Sequence, residues 1–198
     1  MKKIRKIIYI SLLVALSTTS AYGKGRNIIE GRIGGSFNGK FKTLEKNGVE
    51  ILGEESKGGG EIILEGLKEV YPGVYLGLGI GYQTHGEAKD ISGESGDLYG
   101  SVPTYGVMKY QFNRDNLIQP YLKANLGLSF NRTESGLRII DESVNVFGFY
   151  GAIGGGVEVE NFILDLSYQI NTAKTEKELE ESIDISRITL GLGYRFDF

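Results

Sequence analysis

The single histidine of the chain, His85, stands beside Gly86 and Glu87 in a polar stretch that also holds Asp90, Ser92 and Ser95. Those are the parts of a hydrolase: a serine made nucleophilic by a histidine that an acid orients. The stretch has the composition of a solvated loop, which argues against a fixed triad, and His85 reads as a surface histidine. No cysteine is present, so disulfides, thiolate metal sites and cysteine nucleophiles drop out. Gly77-x-Gly79-x-Gly81 and Gly154-Gly155-Gly156 resemble phosphate cradles only superficially. A cradle needs its glycines between a strand and a helix N-terminus, whereas these lie inside strand-like segments and read as packing glycines. The acids Glu54, Glu55, Glu87, Asp90, Glu94 and Asp97 lack the spacing of a calcium loop and read as solvated charge. No catalytic, cofactor-binding or metal-ligating set is therefore expected.

The elements that carry these residues are strands. From Arg26 onward, segments of about ten residues alternate apolar with polar or glycine at period two, the strand signal. Eight such segments follow one another. In the first, Ile29, Ile33 and Phe37 share a face opposite Glu30, Arg32, Gly34 and Ser36. The second, near Glu61 to Val70, is the least regular because Ile63 and Leu67 interrupt its alternation. The third sets Leu76, Leu78, Ile80 and Tyr82 against Tyr75, Gly77, Gly79, Gly81 and Gln83. The fourth, over 102–112, puts Met108 and Tyr110 opposite Val107 and Lys109, and the fifth, over 121–131, puts Leu122 and Leu126 opposite Lys123 and Asn125. The sixth turns Phe149 and Ile153 away from Tyr150, Gly154 and Glu158, and the seventh turns Leu164 and Leu166 away from Asp165. The eighth sets Leu190, Leu192, Tyr194, Phe196 and Phe198 against Arg187, Gly191, Gly193 and Arg195.

Eight strands enclose only a narrow interior. One face is rich in Leu, Ile, Phe and Tyr; the other is rich in glycine with scattered charges of both signs, as a tight interior requires. The apolar face is accordingly expected in lipid and the polar face inside. Glu30, Arg32, Lys109, Lys123, Glu158, Asp165, Arg187 and Arg195 are then interior charges, read as a hydrogen-bonded plug rather than a pore lining, because uncompensated buried charge is costly.

Short connections (Tyr71-Pro72-Gly73, residues 113–118, Glu160-Asn161) alternate with long polar ones (38–60, 84–101, 131–144, 172–185). Transmembrane barrels have short periplasmic turns and long extracellular loops, which places both termini in the periplasm. Aromatics near strand ends, such as Tyr110, Phe112 and Phe162 at one side and Phe37, Tyr82, Phe130 and Phe147 at the other, suit interface girdles. Lys174 to Glu181, with Glu and Lys interleaved, suggest a short helical turn in the last loop.

Residues 1–23 read as a cleaved export signal: Lys2, Lys3, Arg5 and Lys6, an apolar run Ile7 to Leu16, then Ala21-Tyr22-Gly23. Residues 24–198 then form the barrel. The formal charge of −3 falls by the four basic residues to −7, which removes any bulk attraction to nucleic acid. The 30 glycines, 12 tyrosines and 9 phenylalanines agree with an all-β barrel.

The export signal, the eight alternating segments and the aromatic C-terminus resemble the small outer-membrane barrels of the OmpA-like, OmpX-like and opacity-protein group. That resemblance implies an eight-stranded antiparallel up-and-down transmembrane barrel in the bacterial outer membrane, surrounded by lipid and lipopolysaccharide. The family's assembly signal, read by the barrel-assembly machinery, ends in Phe with an aromatic two residues earlier and a glycine five residues earlier. Phe198, Phe196 and Gly193 match it, with Tyr194 between them, and Gly191 replaces the usual polar residue. OmpA-like proteins often add a peptidoglycan-binding domain, and that cell-wall-binding role is not carried over by the resemblance. The implied role is non-enzymatic display of long loops, for adhesion, host or cell-surface ligands, or envelope integrity. Two lipid A-modifying enzymes share the architecture, which keeps acyl transfer or hydrolysis at His85 as the alternative, although the deacylase-like His-x-Ser spacing is absent. A narrow ion path is a third reading.

Overall fold

The computed structural model describes residues 25–41, 44–46, 49–51, 55–56, 58–85, 88–89, 95–96, 99–113, 116–132, 145–174 and 182–198. Eight long strands dominate: β1 (Asn27–Phe41), β2 (Gly59–Tyr71), β3 (Val74–His85), β4 (Tyr99–Gln111), β5 (Ile118–Arg132), β6 (Asn145–Val159), β7 (Phe162–Lys174) and β8 (Ser182–Asp197). Each pairs antiparallel with its sequence neighbours, and β8 pairs back onto β1, closing the sheet. Among the described residues there is no helix.

The closure has a measurable stagger. One hydrogen-bonded row runs Asn27, Lys68, Leu76, Met108, Ala124, Ile153, Tyr168, Ile188 and returns to β1 at Phe37. The row comes back ten residues above its start, so eight strands close with a shear of ten and a tilt of roughly 35–45°. A closed sheet has no free edge, so the strands satisfy their backbone groups on one another, as a membrane span requires.

All eight anticipated strands form, and the period-two alternation places their faces. Ile33, Leu76, Met108, Leu126, Ile153 and Leu192 are exposed on the outside, while Tyr75, Lys109, Asn125 and Asp165 are buried. The outward apolar residues make a continuous band around the barrel, the lipid-facing surface of such barrels. Rings meet at both rims of that band: Tyr110 with Phe112 at 4.7 Å, Phe162 with Tyr194 at 5.4 Å and Tyr194 with Phe196 at 4.9 Å at one end, Phe130 with Phe147 at 4.5 Å at the other.

Two of the three short connections, Pro72-Gly73 and Glu160-Asn161, are tight two-residue turns. Pro72 presets its own φ, and Gly73 takes φ 80°, the pattern of a type II turn. Glu160 (φ 56°) and Asn113 (φ 48°) adopt the left-handed conformation in the other two. At the opposite end the strands run further than the membrane pattern indicates. β1 continues to Phe41 and also pairs with Glu55–Ser56, Leu44–Lys46 pairs with Val49–Ile51, and Ala88–Lys89 pairs with Ser95–Gly96. His85, anticipated in a loop, is the last residue of β3 and lies opposite Tyr99 of β4. Lys174 ends β7 as strand rather than opening a helical turn; residues 175–181 lie outside the described residues.

Candidate functional site

The barrel interior is where charged side chains converge. Period-two placement sends alternate residues of each strand inward, and glycine determines which large side chains fit. The Tyr105 ring occupies the space that a side chain at Gly79 would need, and its own Cβ crowds Gly127. A Cβ at Gly156 would meet the Tyr121 hydroxyl at 2.7 Å, and one at Gly193 would collide with the Arg32 side chain. Small residues on one wall thus admit long ones from another.

Among the described residues, five acids (Glu30, Glu61, Glu65, Glu158, Asp165) and five bases (Arg32, Lys109, Lys123, Arg187, Arg195) are buried inside, and their formal charges sum to zero. They form three tiers. Nearest the short turns, Lys109 bridges Glu30 and Glu158, and Arg195 reaches Glu158 at 2.7 Å and Asp197 at 2.7 Å. Lys109 also lies 4.3 Å from the centre of the Tyr121 ring. In the middle tier Arg32 pairs with Glu65 and, at 3.0 Å, with Asp165. Lys123 stands between the same two carboxylates, 3.3 Å from Asp165 and 3.7 Å from Glu65. Tyr105 donates to Glu65 at 2.8 Å and Tyr121 to Asp165 at 2.6 Å. In the upper tier Arg187 meets Glu61 at 2.7 Å, and Gln83 and Gln169 fill the remaining bonds of that carboxylate at 3.1 Å each.

Above the ions lies an uncharged layer. Asn171 donates to Ser101 at 2.7 Å and to Asn131 at 3.2 Å, and Asn131 donates to Ser129 at 3.1 Å. A second filling, apolar this time, joins Ile28, Ile63, Leu67, Tyr75, Tyr105, Val107 and Tyr150 into one buried cluster. These arrangements neutralise and occlude; within the described residues no group of His, Asp and Glu is set to hold a metal ion.

Sequence reading placed eight of the ten charges inside and omitted Glu61 and Glu65. The eight alone would leave the interior with two surplus positive charges; the two acids of β2 cancel them. The signal was available: an outward Ile62, Leu64 and Gly66 requires Glu61, Ile63, Glu65 and Leu67 inside. Ile63 and Leu67 disguised it, because they belong to the interior apolar cluster and make β2 apolar on both faces.

The terminal residues divide by face. Gly193 points inward against Arg32, with Gly31 O 2.7 Å from the position of a Cβ. Tyr194, Phe196 and Phe198 are exposed on the apolar side, and the Phe198 N–H donates to the carbonyl of Asn27 at 3.1 Å. A side chain at Gly191 would find its nearest neighbour, the Asp165 Cβ, at 3.6 Å. For the hydrolase reading, Glu87, Asp90 and Ser92 lie outside the described residues, as do the side chains of His85 and Ser95.

A closed antiparallel barrel, apolar outside, girdled by aromatics and neutralised within, is a transmembrane β-barrel of the outer-membrane kind. The chain belongs to the outer membrane protein beta-barrel domain family, whose model matches residues 9–196. It is 24% identical over 238 residues to an uncharacterized protein of Pasteurella multocida (strain Pm70), covering 98% of this chain and 99% of that one. The crystal structure of Neisserial surface protein A overlays with a TM-score of 0.53 at 16% identity, covering 87% of this chain and 97% of that one. The outer membrane protein OprG from Pseudomonas aeruginosa overlays with a TM-score of 0.49 at 13% identity, over 88% and 97%. The protein is thus a small eight-stranded barrel of the bacterial outer membrane, in contact with its lipid.

Proposed function

We infer that this barrel is a non-enzymatic display scaffold: its interior is closed, and its business is conducted by the four long polar connections on the cell surface. The observation that carries the reading is the pairing of all ten buried charges into one neutral filling. Such a filling anchors the loops without offering a passage or a reactive group. Both termini are assigned to the periplasm, on the alternation of short turns with long connections. Residues 1–23 are assigned as the export signal, and Gly193, Tyr194, Phe196 and Phe198 as the segment recognised by the barrel-assembly machinery.

Charge narrows the kind of contact. The connections 38–60, 84–101, 131–144 and 172–185 carry formal charges of zero, −3, −1 and −3. Together they hold the whole −7 of residues 24–198, because the strands and short turns balance. A polyanionic ligand is disfavoured by that field. Basic polypeptide surfaces, or lipopolysaccharide bridged by divalent cations, suit it, in keeping with adhesion, host contact or envelope integrity.

Whole cells expressing the chain with each long connection replaced in turn by a short Gly-Ser linker test this. Loss of cell adhesion or of envelope resistance to detergent on replacing 84–101 or 172–185, with the barrel still folded, supports the reading. Unchanged behaviour in all four replacements overturns it. The alternative, acyl transfer or hydrolysis, is decided by His85→Ala: altered lipid A composition in that variant would establish the enzyme.

A further inference from the structure

The last strand differs from the other seven in the charge it brings inside. Among the buried groups of β1–β7, the five acids outnumber the bases Arg32, Lys109 and Lys123 by two. β8 supplies Arg187 and Arg195 and, among its described side chains, no buried acid; its Asp197 is at the rim with a side chain 42% exposed. Neutrality is therefore reached only when β8 is in place.

The geometry around β8 is two-sided. Arg187 extends over β1 to Glu61 on β2, and Arg195 extends over β7 to Glu158 on β6, each at 2.7 Å. In return Arg32 of β1 crosses β8 to reach Asp165 on β7 at 3.0 Å. Two of the three crossings run over glycine. Arg32 lies across Gly193, and the Glu61 side chain lies over Gly34, where a Cβ would stand 3.1 Å from its Cγ. Gly34 faces Gly191 across the seam itself. The Arg187–Glu61 and Arg32–Asp165 pairs thus straddle the β1–β8 seam, while Arg195–Glu158 fastens β8 to the β6–β7 side of it.

An open β1–β7 sheet carries two surplus negative charges, since Glu61 keeps only an amide partner in Gln83 and Glu158 must share Lys109 with Glu30, and enclosing that excess is costly. A one-residue slip of β8 turns both guanidinium groups into lipid, which is costly as well. We propose that Arg187 and Arg195 are an electrostatic latch: they select the closed barrel in its native register by neutralising Glu61 and Glu158 from opposite sides of β8. This goes beyond loop display and does not depend on it.

The absence of cysteine allows a direct test in the full chain. Ile33 and Leu192 are partners across the seam, and Ala124 and Ile153 are partners in the β5–β6 hairpin, all on the outer face. Oxidative cross-linking of I33C/L192C reports closure, and A124C/I153C reports hairpin formation, after refolding into phosphatidylcholine vesicles. R187Q/R195Q is expected to lower the rate of seam cross-linking about tenfold while leaving the hairpin signal unchanged. Adding E61Q/E158Q, which replaces the ion pairs by neutral amides, is expected to restore seam cross-linking to within about threefold of the parent. Three results overturn the latch: a parent-like seam in R187Q/R195Q, equal loss of both cross-links, or a quadruple variant as slow as the double. The first shows that closure ignores the charges, and the others show a packing defect.

Discussion

The Tyr105 hydroxyl donates a 2.8 Å hydrogen bond to Glu65, while its ring fills the space beside Gly79 and lies 4.9 Å from the ring of Tyr150. One side chain thus serves the ionic tier and the apolar cluster at once. Tyr105→Phe keeps the ring and removes a bond to a buried carboxylate, which is expected to destabilise the barrel by about 1–3 kcal/mol. Gly79→Ala forces the ring aside where Tyr150 blocks its retreat and is expected to cost about as much through overpacking. Urea unfolding in lipid vesicles, followed by tyrosine fluorescence, checks both; parent-like midpoints for the pair would show that the interior is loosely filled.

Two glycines near the C-terminus separate packing from recognition. A Cβ at Gly193 collides with Arg32, whereas one at Gly191 meets nothing nearer than 3.6 Å. Gly193→Ala is expected to reduce the folded fraction markedly even in refolding without assembly machinery, and Gly191→Ala to fold like the parent. The readout is the gel shift between unboiled and boiled samples. Equal behaviour of the two variants in vesicles would assign Gly193 to recognition alone.

Lipid contact is tested from outside. Leu126 is 66% exposed on the outer face, near mid-height of the apolar band. Leu126→Arg is expected to cost about 2–4 kcal/mol in vesicles, as a charge at the bilayer midplane does, and much less near the rims, for example at Phe130. A flat profile with depth would contradict the lipid-facing assignment.

Much of this architecture is legible in residue order because a lipid-facing strand is written at period two, as in Leu164-x-Leu166-x-Tyr168. The short turns announce themselves through Pro72 and Gly73. Legibility fails for two physical reasons. Where an inward position is apolar, as at Ile63 and Leu67, both faces of the strand look alike, and Glu61 and Glu65 go unnoticed beside them. Where a strand leaves the membrane, both faces meet water, so nothing in composition marks β1 continuing to Phe41 or β3 to His85. The partners of each interior charge were unreadable altogether, since Arg32 and Asp165, 133 residues apart, meet only through the closed ring.

The same ring decides conductance. The three ionic tiers draw on different strands: the lowest joins β1, β4, β6 and β8, the middle β1, β2, β5 and β7, and the upper β2, β3, β7 and β8 through Gln83 and Gln169. An ion crossing the barrel has to open all of them, in an interior that eight strands keep narrow. Planar-bilayer recordings of the intact protein are therefore expected to show no stable single-channel steps. Glu61→Gln with Arg187→Gln dissolves only the upper tier and is expected to remain silent, because Arg32, Glu65, Lys123 and Asp165 still close the middle. Steady steps from the unaltered chain would replace the plug by a pore, and steps appearing only in the upper-tier variant would place the sole barrier at Glu61 and Arg187.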